Sequence, residues 1–438
     1  MGGLPAAAPG GPTLAVVGAG WAGLAAAVEA TRLGHRVRLV DMAPQAGGRA
    51  REVADSGLSG GLDNGQHILI GAYTETLALM RRVGADPDQL LLRRPLSMAY
   101  PDGDGLLLPA GAAVQAFLRA VMAQHRWPWA ERLALLREVV GWRLAGFCCP
   151  PQLSVAQLTH RLPARIREVL IDPLCVAALN TPSTTASATV FLRVMRDALF
   201  AGPGAADLLL PRVRLSALLP TPALHWLRQA GARLDLGERV QQLERAEQGW
   251  RLSTSLGHIA ADRVILACTS TEAARLAQPH QPAWAATAQG LRHEPITTLS
   301  LHSPGTRLSL PMLALRSDEH TRPGQFVFDQ GQLCGQEGLL SLVISGAAPW
   351  VERGSDATVR AAIGQLQTQL GPQLKSPLSL VKLLTDKRAT FSCTPGLVRP
   401  AMQVSEGLLA AGDYIAGPYP ATLEGAVRSG MAAARALS

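Results

Sequence analysis

Lysine is almost missing from this chain: of 41 basic residues only Lys375, Lys382 and Lys387 are lysines, and the rest are arginines. That imbalance reads as a compositional bias as much as a function. The net charge of +8 is scattered. With no stripe of basic and aromatic residues, the footprint of a nucleic-acid binder is missing, and the charge leaves room only for a mild attraction to an anionic membrane surface. Cysteines are few and badly placed for a scaffold. Cys148 and Cys149 are adjacent, while Cys175, Cys268, Cys334 and Cys393 stand alone. Without a C-x-x-C pair, zinc ribbons and thioredoxin-like chemistry are excluded, no metal site is expected, and a reducing cytosol fits best. No apolar run reaches the roughly eighteen residues of a membrane span; Leu14 to Val28 is apolar but short and broken by glycines. Met1 to Pro12 is rich in Gly, Pro and Ala without a basic start, so residues 1–12 read as a flexible tail and not a signal peptide.

What is present is apolar bulk. Hydrophobic residues make up 47% and charged residues 17% of the chain, which excludes disorder, and 43 glycines without a G-X-Y period exclude collagen. At roughly 150 residues per domain, 438 residues make two or three units, with a core large enough to fold without disulfides or metal.

The clearest signal comes early. Leu14 to Val17 is a continuous apolar run, as in a buried parallel strand. Gly18-Ala19-Gly20-Trp21-Ala22-Gly23 follows, then a helix-forming stretch over Leu24 to Leu33, Gly34, and a second strand from Arg36 to Val40 closed by Asp41. In such a unit Gly18 permits the tight turn, Gly20 lets backbone approach a pyrophosphate, and Gly23 lets helix pack on strand. The helix N-terminus presents N–H groups to phosphate. Asp41, 18 residues after Gly23, is placed to accept from a ribose diol, and an acid there argues against a 2′-phosphate. A dinucleotide is the predicted ligand.

Further motifs specify which one. Ala46-Gly47-Gly48-Arg49 resembles the second fingerprint of the flavin amine oxidase and phytoene desaturase superfamily, and Asp63-Asn64-Gly65-Gln66-His67 resembles its turn beside the flavin ring. Without that resemblance His67 is a core or turn histidine. Residues 232–276 read as strand-turn-strand (Ala232–Leu236, Glu238–Glu244), a hairpin arm from Gly249 and a returning strand Ala261–Ala267, as in the second part of such an FAD domain. Leu408 to Asp413 and the helix from Leu423 resemble the terminal flavin motif, whose helix dipole stabilises charge on reduced flavin. The resemblance implies FAD contacts by Gly18, Ala19, Gly20, Trp21, Ala22, Gly23, Asp41, Met42, Gly48, Arg49, Asn64, Gly65, Gln66, His67, Val240, Gly412, Asp413 and Leu423. It also implies an α/β, amine oxidase-like fold: a discontinuous Rossmann-like FAD-binding domain (13–75, 211–277 and 386–438) with an interleaved α+β substrate-binding domain (76–210 and 278–385).

Less general stretches, Ala178-Leu179-Asn180-Thr181-Pro182 and Lys387-Arg388-Ala389-Thr390-Phe391 above all, make the chain look like the hydroxysqualene dehydroxylases, the squalene-associated FAD enzymes of bacterial hopanoid biosynthesis. The implied reaction removes the allylic hydroxyl of C30 hydroxysqualene and delivers hydride from reduced flavin, giving squalene. It needs an apolar tunnel, exclusion of water and a general acid, for which His67, Asp172 and Tyr419 are candidates by type. A carotenoid-type desaturase is the nearer rival and an FAD-binding escort protein the non-enzymatic one. Amine oxidation is weaker, because its flavin-side lysine has no counterpart beyond three residues between 375 and 387. No second nucleotide fold for NADPH is evident, which points to an external electron donor or to direct reduction at the flavin site. So apolar a substrate implies a cytoplasmic protein docked on the inner face of the membrane. The helix from Trp127 to Leu144, with Trp129, Leu133, Leu136 and Val140 on one face, is read as a core helix or as an interfacial one.

Overall fold

The computed structural model describes residues 11–53 and 61–437. Residues 1–10 of the expected tail lie outside that range, and the carbonyls of Gly11 and Pro12 accept hydrogen bonds from Arg36 Nε and N, at 2.9 and 3.0 Å.

Three separate stretches of chain build one sheet. Its six strands run in the order Arg233–Leu236, Arg36–Asp41, Thr13–Val17, Arg263–Leu266, Leu408–Ala410, Gln403–Ser405. The first five are parallel and the last is antiparallel. Alternation along each strand explains the unbroken apolar runs, since both faces are covered. Leu14, Val16, Leu39, Ile265 and Leu409 pack with the helices Trp21–Arg32, Pro220–Gln229 and Leu423–Arg435. Ala15, Val17, Val264, Leu266 and Leu408 face the other way, into the core shared with a three-stranded sheet (Val240–Arg245, Trp250–Thr254, Gly257–Ala261). The strands read as strand-turn-strand around residue 237 therefore belong to two different sheets, not to one hairpin. Glu238, buried beside Thr254, marks the crossing.

The first and last helices of the parallel-sheet layer touch backbone to backbone. A Cβ on Gly430 would lie 2.1 Å from the Ala22 carbonyl oxygen. The buried Glu424 carboxylate accepts from Glu75 N (3.1 Å), Thr76 N (2.9 Å) and Thr76 Oγ1 (2.7 Å), so it caps the helix Thr74–Arg82 from the first turn of Leu423–Arg435.

A second, antiparallel sheet of five strands (Met312–Ala314, Phe326–Asp329, Leu339–Ile344, His293–His302, Ser379–Phe391) buries one face under the helix Ser355–Leu370. The other face shares its core with the helices of residues 113–200. The boundaries drawn at 75 and 386 fall inside the helix Thr74–Arg82 and the strand Ser379–Phe391.

The helix Trp129–Leu144 buries Arg132, Leu135 and Trp142. Of the face read as core or interfacial, Leu136 packs partly against the core, while Trp129, Leu133 and Val140 are exposed. The helix carries two apolar stripes, and the shape of the neighbouring core selects the one that contains Arg132. No helix among the described residues is long and apolar enough to cross a membrane.

Candidate active site

Register aligns the carboxyl ends of the parallel strands. Val17 pairs with Val40 and Leu266, and Leu266 with Ala410, so Gly18, Asp41, Ala267 and Ala411-Gly412-Asp413 emerge along one edge. In open parallel sheets that edge is where ligands bind.

The glycines there have different tasks. Gly18 has φ +113°, and a Cβ on it would lie 2.5 Å from the Ala267 oxygen; a Cβ on Gly23 would lie 1.8 Å from the Gly18 oxygen. Both are required by packing. Gly20 is not: the nearest atom to its would-be Cβ is Gly48 Cα at 4.0 Å. The first and second fingerprints face each other across this gap, joined by a Gly20–Gly47 bridge and by Gly47 N donating to Ala19 O at 2.8 Å. The helix Trp21–Arg32 begins at Gly20 without a side-chain cap or an acid in its first turn, so its N–H groups and positive end stay available to an anion. Asp41 accepts from Ala19 N (2.5 Å) and Ala43 N (2.7 Å), which leaves about half of a carboxylate's acceptor sites. Trp21 is buried and donates to Ala50 O at 3.0 Å, Ala22 is buried under Gly430, and Met42 is 58% exposed.

Arg49 ties this edge to the second sheet. It donates to Asp413 Oδ1 (2.6 Å) and to Ala389 O (2.6 Å) on the strand Ser379–Phe391. It lies deep in the protein, yet 38% of its side chain is accessible. His67, Tyr73 and Cys268 are likewise enclosed yet partly accessible. Enclosed side chains with accessible surface line an interior space, and a buried polar atom points to what it holds. Tyr414 Oη, whose electrostatic neighbours are Cys268, Asp413 and Arg49, has no hydrogen-bond partner. The open Gly20–Gly48 gap, the uncapped helix start and this hydroxyl together fit a long phosphate-containing cofactor. Leu423 begins the second helix aimed from the edge, with Thr422 Oγ1 accepting from Gly425 N at 3.0 Å, and Gly412 N donates to Ser429 Oγ at 3.0 Å. Val240 is buried, and its carbonyl accepts from Arg275 Nη2 at 2.9 Å.

The turn from Asp63 to His67 is held at nearly every residue. Asp63 Oδ1 accepts from Leu215 N at 2.9 Å, and burial pushes its carboxyl up to about 6. Asn64 bridges Arg51 N and the Arg49 carbonyl. Gln66 Oε1 accepts from Gln330 Nε2 at 2.8 Å, and Gly65 lies between His67 and Thr298. His67 Nδ1 is 3.0 Å from Gly65 O. A carbonyl only accepts, so Nδ1 carries the proton and Nε2 is left as an acceptor. Burial and the nearby Arg49 lower the pKa of His67, so the ring is neutral near pH 7.

The three acid candidates fall in different clusters. His67 lies with Arg49 and Asp386. The Tyr419 ring sits between Arg193 and Arg428, 5.4 and 5.3 Å from their guanidinium carbons. Asp172 lies with Ser183, Arg167 and Glu168, its carboxyl pushed up by burial. Sequence reasoning missed His293, which interacts with Arg49, Asp413, Arg388 and Asp386 and whose pKa burial lowers. It also missed Tyr414. A histidine at the head of a strand and a tyrosine after Gly-Asp carry no local signal.

The two less general stretches meet. Asn180, in the left-handed region at φ +48°, donates to Thr390 Oγ1 (2.9 Å) and Glu294 O (3.1 Å) and accepts from Gly346 N (2.7 Å). Thr181 Oγ1 accepts from Cys393 N at 3.1 Å. One junction joins the helical region to the strand whose carbonyls Arg49 grips.

Comparison with known proteins agrees with this architecture. A hydroxysqualene dehydroxylase from Zymomonas mobilis is 27% identical, with 96% of this chain and 97% of that one aligned. One from Sinorhizobium fredii is 27% identical, with 96% of each chain covered. The crystal structure of an oxidoreductase from Methanosarcina mazei superposes with a TM-score of 0.73 at 15% identity, covering 96% of this chain and 99% of that one. The family model for flavin containing amine oxidoreductases matches residues 21–438. The chain belongs to the flavin containing amine oxidoreductase family, and it is an FAD-dependent oxidoreductase with the α/β fold of that family.

Proposed function

We propose that this protein converts hydroxysqualene to squalene by reductive dehydroxylation. The observation that carries the reading is the similarity to hydroxysqualene dehydroxylases along the whole chain. The meeting of Asn180 and Thr390, from the two stretches most particular to that resemblance, supports it. FAD, when bound and reduced, supplies the hydride; the substrate loses hydroxide, a proton completes the departing water, and the allylic carbon gains hydrogen.

The chain's own residues have the remaining tasks. In this reading Gly18, Ala19, Gly20, Trp21, Ala22 and Gly23 cradle the pyrophosphate through backbone. Asp41 and Met42 attend the adenosine ribose and Val240 the adenine. Gly48, Arg49, Gly412 and Asp413 run along the cofactor, and Asn64, Gly65, Gln66, His67 and Leu423 surround the ring. Neutral His67 accepts at Nε2 and is suited to hold the substrate hydroxyl, not to protonate it. Asp172 and Tyr419 lie in clusters separate from His67, and they stand as candidates for the proton donor by residue type alone. The FAD-binding part comprises the segments around 13–75, 211–277 and 386–438, and the substrate-binding part those around 76–210 and 278–385. Electrons come from an external donor, and the protein works as a peripheral protein on the inner face of the cytoplasmic membrane, where a C30 isoprenoid dissolves.

An anaerobic experiment tests the reaction. The holoprotein is reduced photochemically and mixed with detergent-dispersed hydroxysqualene. Return of the oxidised flavin bands in step with squalene is the expected result. Flavin that stays reduced without squalene formation overturns the reading, and the oxidised protein is then assayed with phytoene-like polyenes as a desaturase.

A further inference from the structure

Among the described residues eleven large apolar side chains are exposed, and six of them lie between residues 118 and 144. Leu118 and Met122 stand one turn apart on the helix Ala113–Ala123. Trp129, Leu133, Val140 and Leu144 follow on Trp129–Leu144. At 3.6 residues per turn these four fall within about 60° of one another, a narrow stripe along the solvent side. Leu144 is 84% exposed and Trp129 59%. The same helix already buries Leu135 and Trp142 on its other side, so the outer stripe is surplus to the core. Apolar surface gathered in this way marks an interaction site.

The surroundings point to the occupant. Arg137 and Arg143 flank the stripe, and Arg119 and Arg126 are exposed on the preceding segment. The two acids of the region are engaged: Glu138 accepts from Trp142 Nε1 at 3.1 Å, and Glu131 lies 3.8 Å from Arg165. Buried Arg132 locks the two helices together, donating to Met122 O (3.0 Å) and Trp127 O (2.8 Å) with its guanidinium 4.6 Å from the Trp129 ring centre. The result is a rigid two-helix surface with an apolar ridge and a cationic border. A protein partner requires no such one-signed border; the boundary between acyl chains and anionic headgroups matches both parts.

We infer that the helices Ala113–Ala123 and Trp129–Leu144 form a docking surface for an anionic lipid bilayer, with Trp129, Leu133, Val140 and Leu144 immersed and Arg137 and Arg143 at the headgroups. This deepens the reading above, since a C30 substrate reaches the protein from a bilayer, but its test needs no turnover. The flavin-loaded protein is sedimented with phosphatidylcholine vesicles with and without phosphatidylglycerol. Binding is expected to the anionic vesicles and to weaken with salt. Replacing Trp129, Leu133, Val140 and Leu144 together by serine lowers partitioning about tenfold or more, with flavin content and turnover of detergent-dispersed substrate unchanged. The charge reversal R137E/R143E, which leaves the ridge intact, lowers it by a similar factor. Unaltered sedimentation of the serine variant overturns the proposal. So does an unmodified protein that ignores vesicles and sediments as a dimer in the ultracentrifuge, a dimer the serine variant loses, because the ridge then covers a second copy of the chain.

Discussion

At the carboxyl edge of the parallel sheet, backbone meets backbone: Gly18 against Ala267, Gly23 against Gly18, Gly430 against Ala22. Across the molecule, where the five-stranded sheet meets the helical region, side chains make the join: Asn180 to Thr390, Glu294 and Gly346, and Thr181 to Cys393. The first kind of contact admits one residue type and leaves a spaced glycine pattern in the sequence. The second depends on partners a hundred or more positions apart and leaves none. A family can therefore keep one cofactor edge and vary what is joined to it.

The contrast is broken most severely at Gly23. Gly23→Val puts side-chain atoms where the Gly18 oxygen stands and costs about 3 kcal/mol or more; the expected product purifies without flavin absorbance and without a cooperative melt. Asn180→Ala tests the other region. It removes three hydrogen bonds and places alanine in the left-handed region, a cost of about 2–4 kcal/mol. Thermal melting should show that loss while the flavin-to-protein absorbance ratio stays at the unmodified value. Loss of flavin from this variant would mean the two regions are one cooperative unit.

How much was legible follows the same division. The β-α-β unit, the acid at Asp41 and the closing strand-helix pair were readable because glycine spacing and apolar runs are local. The role of Asn180 was not, because its partners come from three other stretches of chain. For the helix Trp129–Leu144 the sequence leaves a core and an interfacial reading side by side, because a helix apolar on two sides does not announce which side is buried. Tyr414 and His293 gain their places at the candidate site only through the strands that deliver them.

A subtler effect is expected at Asp63, in the turn between the two regions. Its folded pKa of about 6 lies above the ordinary 3.8, so the native state holds this proton more firmly than the unfolded chain does. Its contribution to stability is complete below pH 3.8 and is lost as pH rises through about 6. In Asp63→Asn that fall, roughly 2–3 kcal/mol, disappears; urea midpoints measured from pH 4 to pH 7 should change less than in the unmodified protein. The smallest effect on folding and the sharpest on ligand belongs to Gly20→Ala. The protein has room for that methyl group, so the flavin-free melt moves by no more than about 0.5 kcal/mol. The methyl narrows the gap toward Gly48, and flavin affinity by titration is expected to fall about tenfold or more. Unchanged affinity would show that the gap is not where the pyrophosphate lies.

The carboxylate of Glu424 has a consequence for the order of events during synthesis. The helix Thr74–Arg82 obtains its N-terminal cap, and Trp21–Arg32 its packing partner, from a segment that leaves the ribosome hundreds of residues later. Until Leu408–Ala410 and Leu423–Arg435 emerge, the growing chain holds an open sheet edge, Trp21–Arg32 lacks one of its helix neighbours, and Thr74–Arg82 lacks its cap. The cofactor edge therefore closes after translation of the final helix and not domain by domain from the N-terminus.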